Sequence, residues 1–201
     1  MLATQESITK TAAALQANGI EPIIVATGAE ALAKIKELIP VGASVNNGAS
    51  KTLEQIGYID YLKEGKHGWN NLKAAIVAET DKVKQAALRK QASLSDYYLG
   101  SVHGLSETGE FVIASNMGSQ LPNIVFTSPN PIFVVSTKKI VPTLSDAMER
   151  LEKIVVPLED ARIMAQNKVH VMLAKIVIFK KENPRIGRKV RMILVNEDLG
   201  F

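Results

Sequence analysis

A short polar loop follows the second predicted strand and contains residue types suited to binding an anion. The loop runs from Asn46 to Thr52, and Gly48 within it lets a ligand approach the backbone closely. Hydroxyl and ammonium groups follow the glycine at Ser50, Lys51 and Thr52. With the free backbone amides at the start of the next predicted helix, these groups suit a phosphate or a carboxylate. The loop predicts an anion-binding site formed by Asn47, Gly48, Ser50, Lys51 and Thr52.

The same loop allows other interpretations. A Walker A motif is excluded because no glycine directly precedes Lys51 and the spacing from Gly42 does not fit, so ATP hydrolysis is not indicated. Ser50 could instead serve only as the N-cap of the following helix, with Glu54 nearby, and would then need no ligand. The residues of the loop leave binding and capping open.

A second group of polar residues follows later predicted strands. His103 and Glu107 could form a proton-transferring pair, because imidazole titrates near neutral pH and a carboxylate can orient it. A structural role is the alternative for a single loop histidine. The carboxyl ends of parallel strands share one edge of a sheet, so residues beyond several strands could converge there. The further candidates are Asn116, Gly118 and Ser119, and the cations Lys138 and Lys139, although a lysine pair also fits an exposed surface.

The composition excludes several kinds of site. The chain has no cysteine, which rules out disulfides, thiolate zinc sites, cysteine-ligated iron–sulfur clusters and a cysteine nucleophile, so any such redox centre must lie in another chain. His67 and His170 have no suitably spaced partner, so no metal site is predicted. No Gly-x-Ser-x-Gly motif is present, which disfavours serine hydrolysis. Without a signal peptide or a run of roughly 20 apolar residues, a soluble cytoplasmic protein is expected.

Basic residues are concentrated near the end of the chain. Residues 168 to 191 contain eight lysine or arginine residues and the single acid Glu182. Nucleic-acid binding is disfavoured because single strands also need exposed aromatic side chains and this segment has only Phe179. The pattern favours a solvated β-hairpin, which could serve as a homodimer contact as readily as a free surface.

The alternation of predicted strands and helices indicates an α/β fold. Apolar runs rich in β-branched residues at Pro22–Ala26 and Ile132–Ser136 are typical of strands buried on both faces of a parallel sheet. A helix starting near Thr80 is predicted to turn Val83 and Ala87 inward.

Two sequence features predict antiparallel pairing. The tight turn at Ser106–Glu110 predicts a hairpin step, which would make the sheet mixed. The segments Val171–Phe179 and Val190–Val195 predict a C-terminal β-hairpin around Asn183–Gly187. We therefore predict one domain over residues 1–201. It is a three-layer, Rossmann-like, mostly parallel sheet flanked by helices, with a basic hairpin from about residue 168 as an extension.

One run of residues resembles a known family. Residues 96–112, DYYLGSVHGLSETGEFV, are similar to the core signature of the LUD family, that is, lactate-utilisation protein C and its relatives. Around it, in the family's order, stand residues 45–57, Asn116–Gln120, Ser136–Val141 and Ala147–Pro157. The resemblance covers most of residues 40 to 162.

The resemblance carries expectations about function. The family looks like part of a broader superfamily that contains ribose-5-phosphate isomerase, glucosamine-6-phosphate deaminase and the CoA transferases. In that superfamily, Ser/Thr-Gly loops between a strand and a helix bind phosphate. This implies a Rossmann-like sheet and a ligand at Gly48, Ser50, Lys51 and Thr52. Longer relatives act with an iron–sulfur partner in oxidising L-lactate to pyruvate, which implies no cofactor in this chain itself.

Three functions are consistent with these residues. The first is binding of a small anionic metabolite or nucleotide in lactate or organic-acid utilisation, together with an iron–sulfur subunit. The second is an isomerase or transferase acting on a phosphorylated or CoA-linked substrate, which needs Glu107 or Asp96 close to a substrate proton. Asp96 could instead fix the start of its strand by hydrogen bonding to turn amides. The third is a non-catalytic assembly subunit, and whether the isolated chain is an enzyme stays open.

Overall fold

The computed structural model describes residues 1–201 and contains ten strands and eight α-helices. The strands are β1 (Glu21–Val25), β2 (Ser44–Asn47), β3 (Asn70–Asn71), β4 (Tyr97–Gly100), β5 (Gly104–Ser106), β6 (Phe111–Ser115), β7 (Asn130–Ser136), β8 (Ile140–Val141), β9 (Lys175–Phe179) and β10 (Arg191–Val195). The helices are α1 (Gln5–Ala17), α2 (Gly28–Leu38), α3 (Lys51–Gln55), α4 (Tyr58–Glu64), α5 (Leu72–Ala78), α6 (Lys82–Ala92), α7 (Leu144–Arg150) and α8 (Val156–Asn167). No helix combines the length and the apolar character that a membrane crossing requires.

The larger sheet has six strands in the order β1-β10-β7-β4-β2-β3, and all its neighbouring pairs are parallel. Its central strands are apolar on both faces because both faces are covered. In β7, Ile132 and Val134 pack with the helical layer of α2 to α4, whereas Phe133 and Val135 pack on the opposite side with α1 and the smaller sheet. Alternate residues of a strand point to opposite faces, so a continuous apolar run is what this position requires. The predicted α/β fold with a mostly parallel sheet between helices is confirmed.

The smaller sheet has the order β8-β5-β6-β9 and lies against the larger one. The predicted hairpin forms, since β5 and β6 are antiparallel. It belongs to this separate sheet, however, so the larger sheet is not mixed. Helix α7 packs on the outer face of the smaller sheet, where Gly104 allows close approach: a Cβ there would lie 2.8 Å from the carbonyl oxygen of Ala147. The smaller sheet and α7 add layers beyond the three predicted.

The predicted C-terminal hairpin is wrong. Strand β9 pairs antiparallel with β6 in the smaller sheet, whereas β10 pairs in parallel with β1 and β7 in the larger one. The two strands differ in burial, which explains the separation. Ile176 and Ile178 of β9 are exposed by 38% and 44%, as suits an edge strand, whereas Met192 to Val195 are fully buried.

Two smaller expectations also fail. Strand β1 is an edge strand, with Ile24 half exposed, and not a strand buried on both faces; Pro22, which lacks an N–H donor, is compatible with an edge. In α6, Val83 and Ala87 are exposed because the helix packs against α5 and not against the sheet.

The basic segment does not form one exposed stripe, because Arg188 is buried. Its guanidinium donates to the carbonyl oxygens of Asn123, Ile124, Val125 and Ser128, at 2.7 to 3.4 Å. These carbonyls belong to a π-helical turn, Asn123–Thr127, and its end. Arg188 also lies 3.4 Å from the buried carboxylate of Glu182. The arginine therefore satisfies the carbonyls of a helix terminus and places its charge beside a buried acid, although the Oε2 of Glu182 accepts no hydrogen bond.

We expect Arg188→Met to lower the free energy of unfolding by about 3–5 kcal/mol, because Glu182 and several carbonyls would lose their buried partner. Chemical denaturation measures this change. Arg185→Met, at an exposed arginine of the same segment, is the matched control and should change stability by less than about 0.5 kcal/mol. Equal stability of the two variants would contradict the assigned role of Arg188.

Candidate functional site

A cavity of about 490 Å³ lies at the carboxyl ends of β2 and β4, the edge at which a parallel sheet is expected to bind ligands. The loop after β2 forms one side of it, and the residues after β4 and β6 form another. Helices α5, α6 and α8 contribute further walls. The cavity also reaches Gly200 and Phe201, which fold back over the same region.

The loop after β2 both caps a helix and lines the cavity. Ser50 is the N-cap of α3, and its hydroxyl accepts a hydrogen bond from the amide of Leu53 at 3.3 Å. Lys51 pairs with Glu54 at 3.1 Å on a largely exposed surface. A glycine is required at position 48 because the side chain of Gln120 lies so close to the backbone that a Cβ would overlap it. Capping is therefore present, and it leaves the loop free to line a binding site.

The central cation of the cavity is Lys139, which is only 4% exposed. Its ammonium group donates to the hydroxyls of Thr52 (3.2 Å) and Ser101 (3.0 Å) and to the carbonyl of Val102 (3.2 Å). Lys139 takes part in none of the salt bridges of the chain, so no carboxylate is paired with its ammonium group. Burial, together with the charges of Arg150 and Lys138, lowers the pKa of Lys139 to about 7. A buried lysine without an acid is characteristic of a functional site.

The contacts of Lys139 determine what the two hydroxyls can do. The hydroxyl oxygens of Thr52 and Ser101 each accept a hydrogen bond from the ammonium group, and neither hydroxyl donates to another group of the chain. Since a hydroxyl carries one donor as well as its acceptor lone pairs, both protons remain available to a ligand in the cavity. Lys139 thus presents two hydroxyl donors in a positive environment, which favours an anionic oxygen.

His103 lines the cavity next to this group. Its Nδ1 accepts a hydrogen bond from the amide of Ala114 at 3.0 Å, which places the ring proton on Nε2. Burial, followed by the charges of Lys139 and Arg150, lowers the pKa of His103 to about 4. The imidazole is therefore neutral near pH 7, and its Nε2–H is a donor with no partner in the chain.

Two buried asparagines end β2 and have different roles. Asn46 donates to the carbonyl of Ala92 and to the side chain of Asn123, both at 3.2 Å, and so ties the strand to its neighbours. Asn47 donates to the carbonyl of Gly48, but its Oδ1 is buried without any donor. An unsatisfied buried acceptor costs about 1–3 kcal/mol, and a ligand hydroxyl in the cavity could satisfy it.

The structure brings most of the predicted site residues together. The cavity lining includes the predicted residues Asn47, Gly48, Ser50, Lys51, Thr52, His103, Asn116 and Ser119. It does not include Gly118, which lies at φ +83° against the side chain of Lys175, nor Lys138, which ion-pairs with Asp198 and donates to the carbonyl of Gly200. Of the two adjacent lysines, Lys139 supplies the cation, because the turn after β7 directs it inward.

The predicted His103–Glu107 pair is not formed. Glu107 lies outside the cavity lining and pairs with Lys10 at 2.7 Å, and this hydrogen bond lowers the pKa of Glu107. Asp96 accepts hydrogen bonds from the amide (2.8 Å) and hydroxyl (2.6 Å) of Ser44, so it has the structural role of the alternative interpretation, although it fixes the start of β2 and not that of its own strand. Ser101, by contrast, belongs to the site but was not among the predicted ligand residues. Its position within the LUD-like signature was the available signal.

Comparisons with known proteins agree with this architecture. The chain matches the LUD domain family over residues 8–176. It belongs to the LUD-domain family. A solved structure, that of a DUF162 family protein from Deinococcus radiodurans, superposes with a TM-score of 0.56 at 12% sequence identity, covering 97% of this chain and 98% of that one. No curated protein matches the chain. The family supports a role associated with lactate utilisation, and the structural match supports the Rossmann-like α/β fold.

The buried ammonium predicts a pH dependence of stability for this LUD-domain chain. Between about 7 and the ordinary lysine value of 10.5, the unfolded chain holds a proton that Lys139 of the folded chain has released. The free energy of unfolding should therefore rise with pH above about 7, and Lys139→Met should remove this rise. Denaturation at several pH values between about 7 and 9 measures it. His103→Gln is the control, since the pKa of His103 is lowered and its titration lies below this range.

Proposed function

We propose that the cavity binds the carboxylate of a small hydroxy acid or oxo acid, as part of lactate or related organic-acid utilisation. The observation that carries this proposal is the group formed by Lys139, Thr52 and Ser101, a buried cation that presents two hydroxyl donors. A carboxylate has two oxygens that can accept from the two hydroxyls, and its negative charge would favour the protonated form of Lys139, whose pKa lies at about 7 in the chain without ligand.

The remaining polar groups suit the rest of such an acid. The orphan Oδ1 of Asn47 can accept from an alcohol, and the Nε2–H of His103 can donate to an alcohol or a carbonyl oxygen. Because His103 is neutral, it would polarise a carbonyl as a hydrogen-bond donor without transferring a full charge. These contacts could accommodate either the reduced or the oxidised form of a three-carbon acid.

Oxidation of a hydroxy acid to an oxo acid also requires an electron acceptor. We propose that an iron–sulfur subunit supplies it, since this chain has no cysteine with which to ligate such a cluster. In that arrangement, this chain would hold and orient the acid while its two electrons pass to the partner and its two protons are released to solvent. Both the iron–sulfur partner and a homodimer of this chain are predictions.

The alternative of an isomerase or transferase receives less support from the geometry. Its candidate bases, Glu107 and Asp96, are both outside the cavity lining and engaged with Lys10 and Ser44. The one acid that lines the cavity, Glu159, pairs with Arg162 at 2.6 Å. A non-catalytic assembly subunit is the remaining alternative, and it requires no ligand in the cavity.

We expect L-lactate, glycolate or pyruvate to bind the isolated chain, and Lys139→Met to weaken that binding by about tenfold to a hundredfold, the equivalent of roughly 1.5–3 kcal/mol. The double variant Thr52→Val with Ser101→Ala should have a comparable effect, since it removes both hydroxyl donors. Titration calorimetry at constant ionic strength measures the affinities.

The matched control is Lys153→Met, which removes an exposed lysine that pairs with Glu149 away from the cavity and should bind as the unchanged chain does. Absence of binding by all three acids to the folded chain would contradict the proposal and favour an assembly role. Turnover by the isolated chain, without a partner, would exclude a purely structural role.

A further inference from the structure

In addition to Lys139, a pair of cations without an acidic partner lines the same cavity. Lys73 lies on α5 and Arg89 on α6, and both are partly buried. Neither side chain forms a salt bridge or a hydrogen bond within the chain, although most other cations near the cavity do. Burial and then the charge of Arg89 lower the pKa of Lys73, so the two like charges are close enough to repel. A bound anion would relieve that repulsion.

The balance of charge around the cavity supports the same conclusion. Five lysine or arginine side chains line it, against a single acidic side chain, that of Glu159. Lys51 and Arg162 are paired with glutamates, and Lys139 is held by neutral oxygens. Lys73 and Arg89 therefore form a separate pole of unbalanced positive charge, on helices that do not carry the Lys139 group.

The size of the cavity also exceeds what a three-carbon acid needs. A volume of about 490 Å³ falls within the range of roughly 300–1,000 Å³ typical of sites for drug-sized ligands and cofactors. Apolar side chains, among them Ile76, Met117, Met172 and Leu173, line part of it. An acid bound at Lys139 would leave this apolar region and the second cationic pole uncovered.

We propose that Lys73 and Arg89 bind the phosphate of a phosphorylated ligand of nucleotide size, which occupies the cavity beside the organic-acid site. Arginine can contact two phosphate oxygens with its planar fork, and lysine adds a point charge, which is a common pairing for phosphate. The apolar lining then covers the body of the ligand. This site is distinct from the loop at Gly48 to Thr52 and does not depend on an acid being bound at Lys139.

The test uses the full chain and four probes: ADP, CoA, fructose 1,6-bisphosphate and pyrophosphate, titrated by calorimetry at constant ionic strength. We expect at least one probe to bind, and Arg89→Gln to weaken that probe on the order of tenfold, as loss of one charge-assisted contact predicts. Lys73→Gln should act in the same direction. The matched control is Lys90→Gln, which removes the neighbouring exposed cation outside the cavity lining.

The pattern of probes identifies the ligand class. Tighter binding of ADP or CoA than of pyrophosphate indicates a nucleotide body on the apolar lining, whereas preference for the bisphosphate indicates a phosphorylated sugar. No binding of any probe to the folded chain, or equal loss of binding in Arg89→Gln and Lys90→Gln, overturns the proposal. Pyruvate binding tests the organic-acid site separately. If pyruvate binds equally well to Arg89→Gln and is lost only in Lys139→Met, the organic-acid site is present whether or not the phosphate site exists.

Discussion

The structure depends on a parallel sheet that is buried on both faces. Once β7 and β10 are covered by helices on one side and by α1 and the smaller sheet on the other, no polar side chain can be accommodated along most of their length. Polar residues are then confined to the ends of the strands, where the chain turns. Because all six strands run in one direction, those ends lie along one edge, and groups distant in sequence become neighbours.

At this edge the fold buries positive charge without a negative partner, which lowers its stability. Lys139 is buried among neutral oxygens, with Arg150 close enough to lower its pKa further, and no acid offsets either charge. A lysine at this position without a binding role would be expected to gain a carboxylate partner or to be replaced by an apolar residue. The arrangement is understandable if the missing negative charge belongs to a ligand, since a charge held ready needs no rearrangement when the ligand binds.

Much of the fold was predictable from the sequence because local patterns determine it. The buried strand Ile132–Ser136, for example, follows from the length of its apolar run. The loop Asn46–Thr52 was identified from residue types that suit an anion. Pairing between distant strands was not predictable in this way. The sequence of β9 does not indicate that this strand pairs with β6. In the structure, its half-exposed side chains distinguish it from the buried strand β10.

The site residues show the same division. A sequence shows that Lys138 and Lys139 follow a strand, but which of them turns inward depends on the short helical turn at Thr137–Lys139. Likewise, the spacing of His103 and Glu107 was compatible with a pair, whereas their positions at β5 and its turn place the carboxylate next to Lys10 of α1. Contacts between elements that are far apart in sequence decide these roles.

Helix α8 forms a wall of the cavity, with Arg162 and Ile163 among the lining residues, yet none of its residues is buried. A segment that buries so little apolar surface contributes little to global stability, so it can open at a low free energy while the larger sheet stays intact. Local opening of α8 would then expose the cavity without unfolding the sheet, and a bound ligand that contacts this helix would slow the exchange of its amide protons with solvent.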